Sequence, residues 1–341
     1  MKSFILPPLS TLYGAVTRAR SSLYQRGTFR SSKLDRPVIS IGNITTGGTG
    51  KTPLVEFVAR TLAAEGKKVC ILTRGYGRKN PNEHVLVSDG LTVFSNPAEA
   101  GDEPFLLASN LVGVAAVVSD SNRFAAGQGA INHLASDCFV LDDGFQHLQL
   151  ARDLDIVTID ATNPWGGGHL LPLGRLRESL KGLKRASCFV MTRSDQVDNV
   201  EQIRQDLATL SGDRPIFLSR MVNLRITPLN PETPKAPKDP VAAFCAVGNP
   251  QSFFTHLTLN GYSPIFRKSF QDHYSYTQSD VDALVYSAKR AGAQSLITTA
   301  KDAVKLHALQ FSLPCYSLEI EMQIDNGEEF RRLLLSSVAF C

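Results

Sequence analysis

Between about residue 37 and residue 220 the chain alternates short β-branched runs with stretches whose apolar residues recur every three or four positions. The runs are Val38–Ile41, Val69–Thr73, Val114–Val118, Cys138–Leu141, Ile156–Ile159 and Phe189–Met191. Alternation of this kind predicts βαβ units on a parallel sheet. In the first connecting segment, Pro53–Glu65, apolar side chains fall at 54, 57, 58 and 62 and Gly66 stands where a helix would stop. That spacing predicts an amphipathic helix covering the sheet.

Pro228–Pro240 reads PLNPETPKAPKDP, and its five prolines exclude a helix interior and favour an extended connection. After it, Val241–Val247, Pro264–Phe266, Ser295–Thr299 and Cys315–Ile320 have strand character, and helical spacing returns at Gln278–Ala291 and Glu328–Leu335. The expected organisation is an α/β parallel-sheet domain over 37–227, a Pro-rich linker over 228–240 and a second, smaller α/β domain over 241–341. There are no internal repeats or low-complexity tracts.

Residues 1–36 differ from both. Leu9, Leu12, Tyr13, Val16, Leu23 and Tyr24 recur at helical spacing, Arg18 and Arg26 fall off that stripe, and Arg20 sits where it can snorkel from the edge. Lys2, Arg18, Arg20, Arg26, Arg30, Lys33 and Arg36 are offset only by Asp35. A basic amphipathic helix suits the interface of anionic lipids; the alternative is a helix that packs its stripe on the first domain. A secretion signal is not expected, because Pro7, Pro8 and Gly14 break the apolar stretch and the cations follow it.

Composition narrows the classes of function. With 341 residues, 43% apolar and 20% charged, the chain has room for two globular domains, and no apolar run approaches the roughly 20 residues that cross a bilayer. Cys70, Cys138, Cys188, Cys245, Cys315 and Cys341 are scattered, without a CxxC pair or histidines at metal-ligand spacing. Reduced thiols in a cytoplasmic setting are expected. A net charge of +4 is too small to indicate nucleic acid as a partner.

Ile39–Thr52 reads ISIGNITTGGTGKT, a strand, a glycine-rich turn and a helix start. Over Thr45, Thr46, Gly47, Gly48, Thr49 and Gly50 the glycines let backbone N–H groups close around phosphate oxygens, and the following helix turns its positive end to the anion. Lys51 is placed to reach β- and γ-phosphates and Thr52 to offer its hydroxyl to Mg²⁺. The generic pattern has glycine where Thr45 stands, so this is an imperfect Walker A sequence, and a plain glycine-rich turn is the alternative. Cys138–Asp143 is an apolar strand ending in Asp142 and Asp143, where a parallel sheet presents metal-holding carboxylates, although an Asp-Asp-Gly turn also reads as ordinary turn chemistry.

The residues Leu141-Asp-Asp-Gly-Phe-Gln-His147 resemble the signature of the lipid A 4′-kinase family. Agreement extends over Gly42–Pro53, Thr73-Arg-Gly-Tyr-Gly77, Gly101-Asp-Glu-Pro104, Pro172–Glu178 and Asp272-His-Tyr274, and so over nearly the whole chain. The resemblance implies a P-loop NTPase-like kinase that uses ATP and Mg²⁺ and phosphorylates an acylated disaccharide 1-phosphate. It also implies a peripheral or monotopic position at the cytoplasmic face of an inner membrane, with no obligate protein partner. By the same resemblance Asp102 is the catalytic aspartate, His273 orients it, and Glu103 is a supporting or metal-linked carboxylate. From its residues alone, Asp102 reads first as a helix-capping acid before Pro104, and the catalytic role comes only from the resemblance. Arg123, Arg175 and Arg177 are candidate phosphate clamps and Tyr76 a candidate packing partner for nucleotide or acceptor. The competing class is a deviant Walker A switch ATPase, against which Thr46 replaces the signature lysine.

Overall fold

The apolar runs form strands because nearly every side chain in them is taken out of water from both faces: β1 (Val38–Asn43), β2 (Val69–Thr73), β4 (Ala115–Ser119), β5 (Cys138–Asp142), β6 (Leu154–Asp160) and β7 (Cys188–Thr192) are buried along their lengths. The computed structural model describes residues 2–76, 78–230 and 233–339. Gly77 of the Arg-Gly-Tyr-Gly motif, Pro231 and Glu232 of the Pro-rich stretch, and Cys341 lie outside the described residues.

In chain order the remaining elements are α1 (Lys2–Gln25), α2 (Lys51–Ala64), β3 (Val85–Ser88), α3 (Pro97–Ala100), α4 (Asp102–Asn110), α5 (Arg123–Leu134), α6 (Val200–Ser211), β8 (Ile216–Pro228), β9 (Val241–Cys245), α7 (Pro250–Leu259), β10 (Phe266–Ser269), α8 (Gln278–Arg290), β11 (Ser295–Thr299), α9 (Ala300–Ala303), β12 (Cys315–Ile324) and α10 (Gly327–Val338). The strands form one 12-stranded sheet in the order β10-β9-β11-β12-β8-β7-β6-β1-β5-β2-β4-β3. Pairing is parallel except for β3 on β4 and β12 on β8.

The 13-residue strand β8 was not evident from the pattern, since its burial is irregular. Ile216–Leu218 pair in parallel with β7, and the remainder pairs antiparallel with β12. The two parts of the sheet are thus stitched by one strand, and the prolines begin at its last residue, Pro228. The strand expected at Pro264–Phe266 forms later, at Phe266–Ser269.

Helix α10 packs with β12 and returns to the first part of the sheet rather than joining the cluster around Phe244. Phe330, Leu334 and Val338, spaced to fall on one face, are buried with Leu54, Val55 and Val58 of α2. Phe330 meets Phe217 edge-on at 4.9 Å between ring centres and Phe57 at 6.0 Å. Residues of β8, β12 and α10 therefore complete the core of the first part of the sheet, while β9, β11 and α8 bury a separate cluster around Phe244.

At the other end of the chain, α1 lies on the 170–177 segment: Ser10 Oγ donates to Leu170 O at 2.9 Å and Tyr13 Oη to Arg177 O at 2.8 Å. The stripe expected to be apolar is split, because Tyr13 turns inward while Leu9, Leu12 and Val16 remain 45%, 62% and 59% exposed. Among the described residues no helix is long and apolar enough to cross a membrane.

Candidate active site

Register fixes the first half of the site. Ile41 of β1 stands beside Asp142 of β5, so the glycine-rich loop after one strand and the carboxylates after the other open at the same edge of the sheet. Within the loop, Asn43 Nδ2 donates to Thr45 O at 2.7 Å and to Thr49 Oγ1 at 2.8 Å, and Thr192 Oγ1 donates to Thr49 O at 3.0 Å. Gly50 makes the turn into α2 with φ 80° and ψ 20°, a conformation that costs a side-chain-bearing residue roughly 1–2 kcal/mol. No side chain caps α2, so its first-turn N–H groups remain for an anion. Thr45 is buried behind the loop, whereas Thr46–Thr52 face a cleft of about 820 Å³.

Asp142 is buried and accepts a hydrogen bond from Thr73 Oγ1 at 3.1 Å, while Arg123 Nη2 donates to its backbone carbonyl at 3.1 Å. Burial, reinforced by Glu103 and Asp143, pushes its carboxyl up to about 6. Asp143, in the left-handed region with φ 50°, has the opposite fate. Burial works against its ionisation, but Lys51 at 3.5 Å and Arg177, which donates to both carboxylate oxygens at 2.7 Å, hold it well below the usual carboxylate range. Two adjacent carboxyls are thus separated in proton affinity by their partners.

No cluster of three or more His, Cys, Asp or Glu side chains able to hold a metal occurs among the described residues. What is present, two aspartates and the Thr52 hydroxyl on one cleft, fits Mg²⁺, which takes one or two carboxylates and completes its shell with water and substrate phosphates.

Across the cleft, Asp102 is the first residue of α4. The helix is capped by Gly101, whose φ of 95° and ψ of 154° exclude the usual cap geometry, and no side chain caps it. The Asp102 carboxylate instead faces the second part of the sheet: Oδ2 lies 3.5 Å from His273 Nδ1 and 3.3 Å from Lys305 Nζ. Burial opposes ionisation, yet the His273 contact and the Lys305 cation outweigh it and lower the pKa. Both partners converge on one oxygen, Oδ2, and neither contact falls on Oδ1. His273 has a left-handed φ of 61°, its N–H donates to Asp272 Oδ1 at 3.1 Å, and the exposed Tyr76 ring tilts over it at 5.4 Å.

The expected residues converge unevenly. Lys51, Thr52, Glu103, Arg123, Asp142, Asp143, Arg177, His273 and Tyr76 line the cleft. Asp102 and Arg175 do not: Asp102 contacts the lining residue His273, and Arg175 turns behind the loop, where its Nη2 donates to Gly248 O at 3.1 Å. Lys301 and Lys305 were missed. Lys301 Nζ lies 2.9 Å from Glu103 Oε1 and 3.3 Å from Asp272 Oδ1, so both lysines reach from α9 and its downstream turn to the start of α4. The available sequence signal was their i, i+4 spacing just after β11, at the carboxyl edge of a parallel strand.

The sequence model of the LpxK family, described as tetraacyldisaccharide-1-P 4′-kinase, matches residues 2–339. A tetraacyldisaccharide 4′-kinase of Geobacter metallireducens is 41% identical over 94% of this chain and 94% of its own length. One from Desulfotalea psychrophila is 37% identical over 97% of this chain and 95% of its own. A solved structure, LpxK from Aquifex aeolicus in complex with ATP, is 30% identical and superposes with a TM-score of 0.74, covering 97% of this chain and 98% of the other.

Proposed function

Since the chain belongs to the tetraacyldisaccharide-1-P 4′-kinase family, we propose that it transfers the γ-phosphoryl group of ATP to the 4′-hydroxyl of an acylated glucosamine disaccharide 1-phosphate, a lipid A precursor. The observation that carries this reading is that one cleft has Lys51 and Thr52 on one wall and His273, which contacts Asp102, opposite.

Loop N–H groups, Lys51 and the start of α2 bind the β- and γ-phosphates. Thr52, Asp142 and Asp143 would hold Mg²⁺, which neutralises phosphate charge when bound. Asp102 Oδ1 takes the proton of the acceptor hydroxyl as its oxygen bonds to the γ-phosphorus and the bond to the ADP oxygen breaks. His273 orients Asp102 through Oδ2, and Arg177 keeps Asp143 ionised. Arg123, through the Asp142 carbonyl, steadies the end of β5. The acceptor's own charge suits the surroundings of His147: after burial, the fields of Arg123, Arg152, Arg20 and Arg74 bring its pKa down to about 3.

The exposed Leu9, Leu12 and Val16 on a basic α1 support docking to the cytoplasmic face of the inner membrane, where such an acceptor resides. We further take 37–227 and 241–341 as the two functional lobes, with the cleft between them and with β12 and α10 of the second contributing to the core of the first.

Acceptor-dependent movement of labelled γ-phosphate from ATP into a lipid fraction is the test. ATP hydrolysis that ignores the lipid and responds to a protein partner would instead favour a switch ATPase.

A further inference from the structure

Lys301 does not touch the expected reacting atoms, yet it touches the far side of the histidine. Its place is fixed by a buried network. Thr299 Oγ1 caps α9 by accepting from Asp302 N at 3.1 Å and donates to Asp302 Oδ2 at 2.7 Å. Asp302 is fully buried and also accepts from Ala246 N and Tyr276 Oη, each at 3.0 Å. A satisfied buried carboxylate of this kind rigidifies the turn that carries Lys301.

From that turn Lys301 Nζ contacts Glu103 Oε1 at 2.9 Å, Asp272 Oδ1 at 3.3 Å and His273 Nε2 at 3.5 Å. Burial would favour a neutral amine, but Glu103 and Asp272 outweigh it and raise the pKa, so Lys301 is an ammonium. An ammonium has donors and no acceptor. A ring nitrogen beside it must therefore present its lone pair.

We infer that Lys301 is a positioning residue that holds His273 in the neutral tautomer with the proton on Nδ1. This inference rests on the Asp102–His273 reading above. The Nδ1–H then points at Asp102 Oδ2, 3.5 Å away, as the donor of that contact. With Nε2 protonated instead, the ring would set an N–H against the Lys301 cation, and its natural acceptor would be Asp272 Oδ1 at 3.9 Å. Asp272 is thus the competitor that Lys301 occupies. A consequence for the reaction follows: since Nδ1 already carries a proton, it has no lone pair with which to relieve Asp102, and the acceptor proton stays on Asp102 until product leaves.

The experiment is nitrogen NMR of the full-length protein labelled in histidine, with His273→Ala identifying the resonances, alongside kcat and KM for Lys301→Met and Lys301→Arg. The wild type should show a protonated Nδ1 and an unprotonated Nε2. Lys301→Met should move proton population to Nε2 and lower kcat by about 10- to 100-fold with KM for ATP unchanged, a loss below that expected for removing the base itself. Lys301→Arg, still donor-only, should restore the Nδ1 proton. Persistence of the Nδ1–H tautomer in Lys301→Met overturns the inference, as does a kcat loss without a tautomer change. A normal kcat for His273→Ala would instead overturn the dyad itself, whatever the spectrum of the lysine variants.

Discussion

At the scale of single residues, the surroundings of the site set the proton affinities of like groups apart. Asp142 and Asp143 are neighbours in sequence, yet one is buried against carboxylates and the other is paired with Lys51 and Arg177. Asp142 has a raised folded-state pKa, so its contribution to stability is complete below about pH 4 and is lost as pH rises through about 6. In thermal melts between pH 4 and 7, the Mg²⁺-free protein should therefore lose stability on the order of 2–3 kcal/mol from this group as pH rises. Mg²⁺ should reduce the loss and Asp142→Asn should flatten it; an unaltered slope in Asp142→Asn would assign the effect elsewhere. For the reaction, Asp102→Ala should lower kcat by about 10²–10⁴-fold with little change in ATP affinity, and the double variant with His273→Ala should be scarcely worse. Losses that multiply would mean that the two residues act independently. A carboxylate used only as a helix cap would give normal turnover and a lower melting temperature. Gly101 already occupies the cap position, which is why the second outcome is not expected.

At the scale of elements, α1 and α10 show opposite uses of an amphipathic pattern. In α10 the stripe Phe330, Leu334 and Val338 is buried against α2, and Phe330→Ala should cost about 3–5 kcal/mol, read from denaturant unfolding. In α1 the packing face carries the hydroxyls of Ser10 and Tyr13, while Leu9, Leu12 and Val16 face outward. The double variant Leu12→Glu, Val16→Glu should keep the fold within about 0.5 kcal/mol, because both side chains are exposed. It should nevertheless abolish binding to anionic vesicles and raise KM for the lipid acceptor more than for ATP. Undiminished vesicle binding would remove α1 from the membrane contact. The one-dimensional pattern could not distinguish these helices, since periodicity reports that a face is apolar and not what will cover it.

At the scale of the whole molecule, the sheet joins both walls of the cleft through β8, and the second part also touches the first directly. Asn249 Nδ2 donates to Asp160 Oδ2, at the end of β6, at 3.1 Å, and a Cβ added at Gly248 would strike the backbone N of Gly48 in the glycine-rich loop. Gly248→Ala should force that contact apart and raise KM for ATP, and stopped-flow nucleotide binding can check whether the effect lies in association. Unchanged nucleotide kinetics would mean that the loop contact is incidental to binding. The strands β1, β2, β4, β5, β6 and β7, helix α2, the glycine-rich turn before it and the Asp142–Asp143 pair were legible along the chain because each is a local pattern: a buried run, a helical stripe, a glycine turn, a strand-ending carboxylate. The motif resemblance also pointed to Asp102 and His273, but not to the lysines that surround them. Strand β8, the return of α10 to the first core, the inward turn of Tyr13 and the meeting of Lys301 and Lys305 with Glu103 and Asp102 were decided by tertiary structure. Each depends on which distant surface comes to lie opposite, and periodicity within a segment carries no information about its partner.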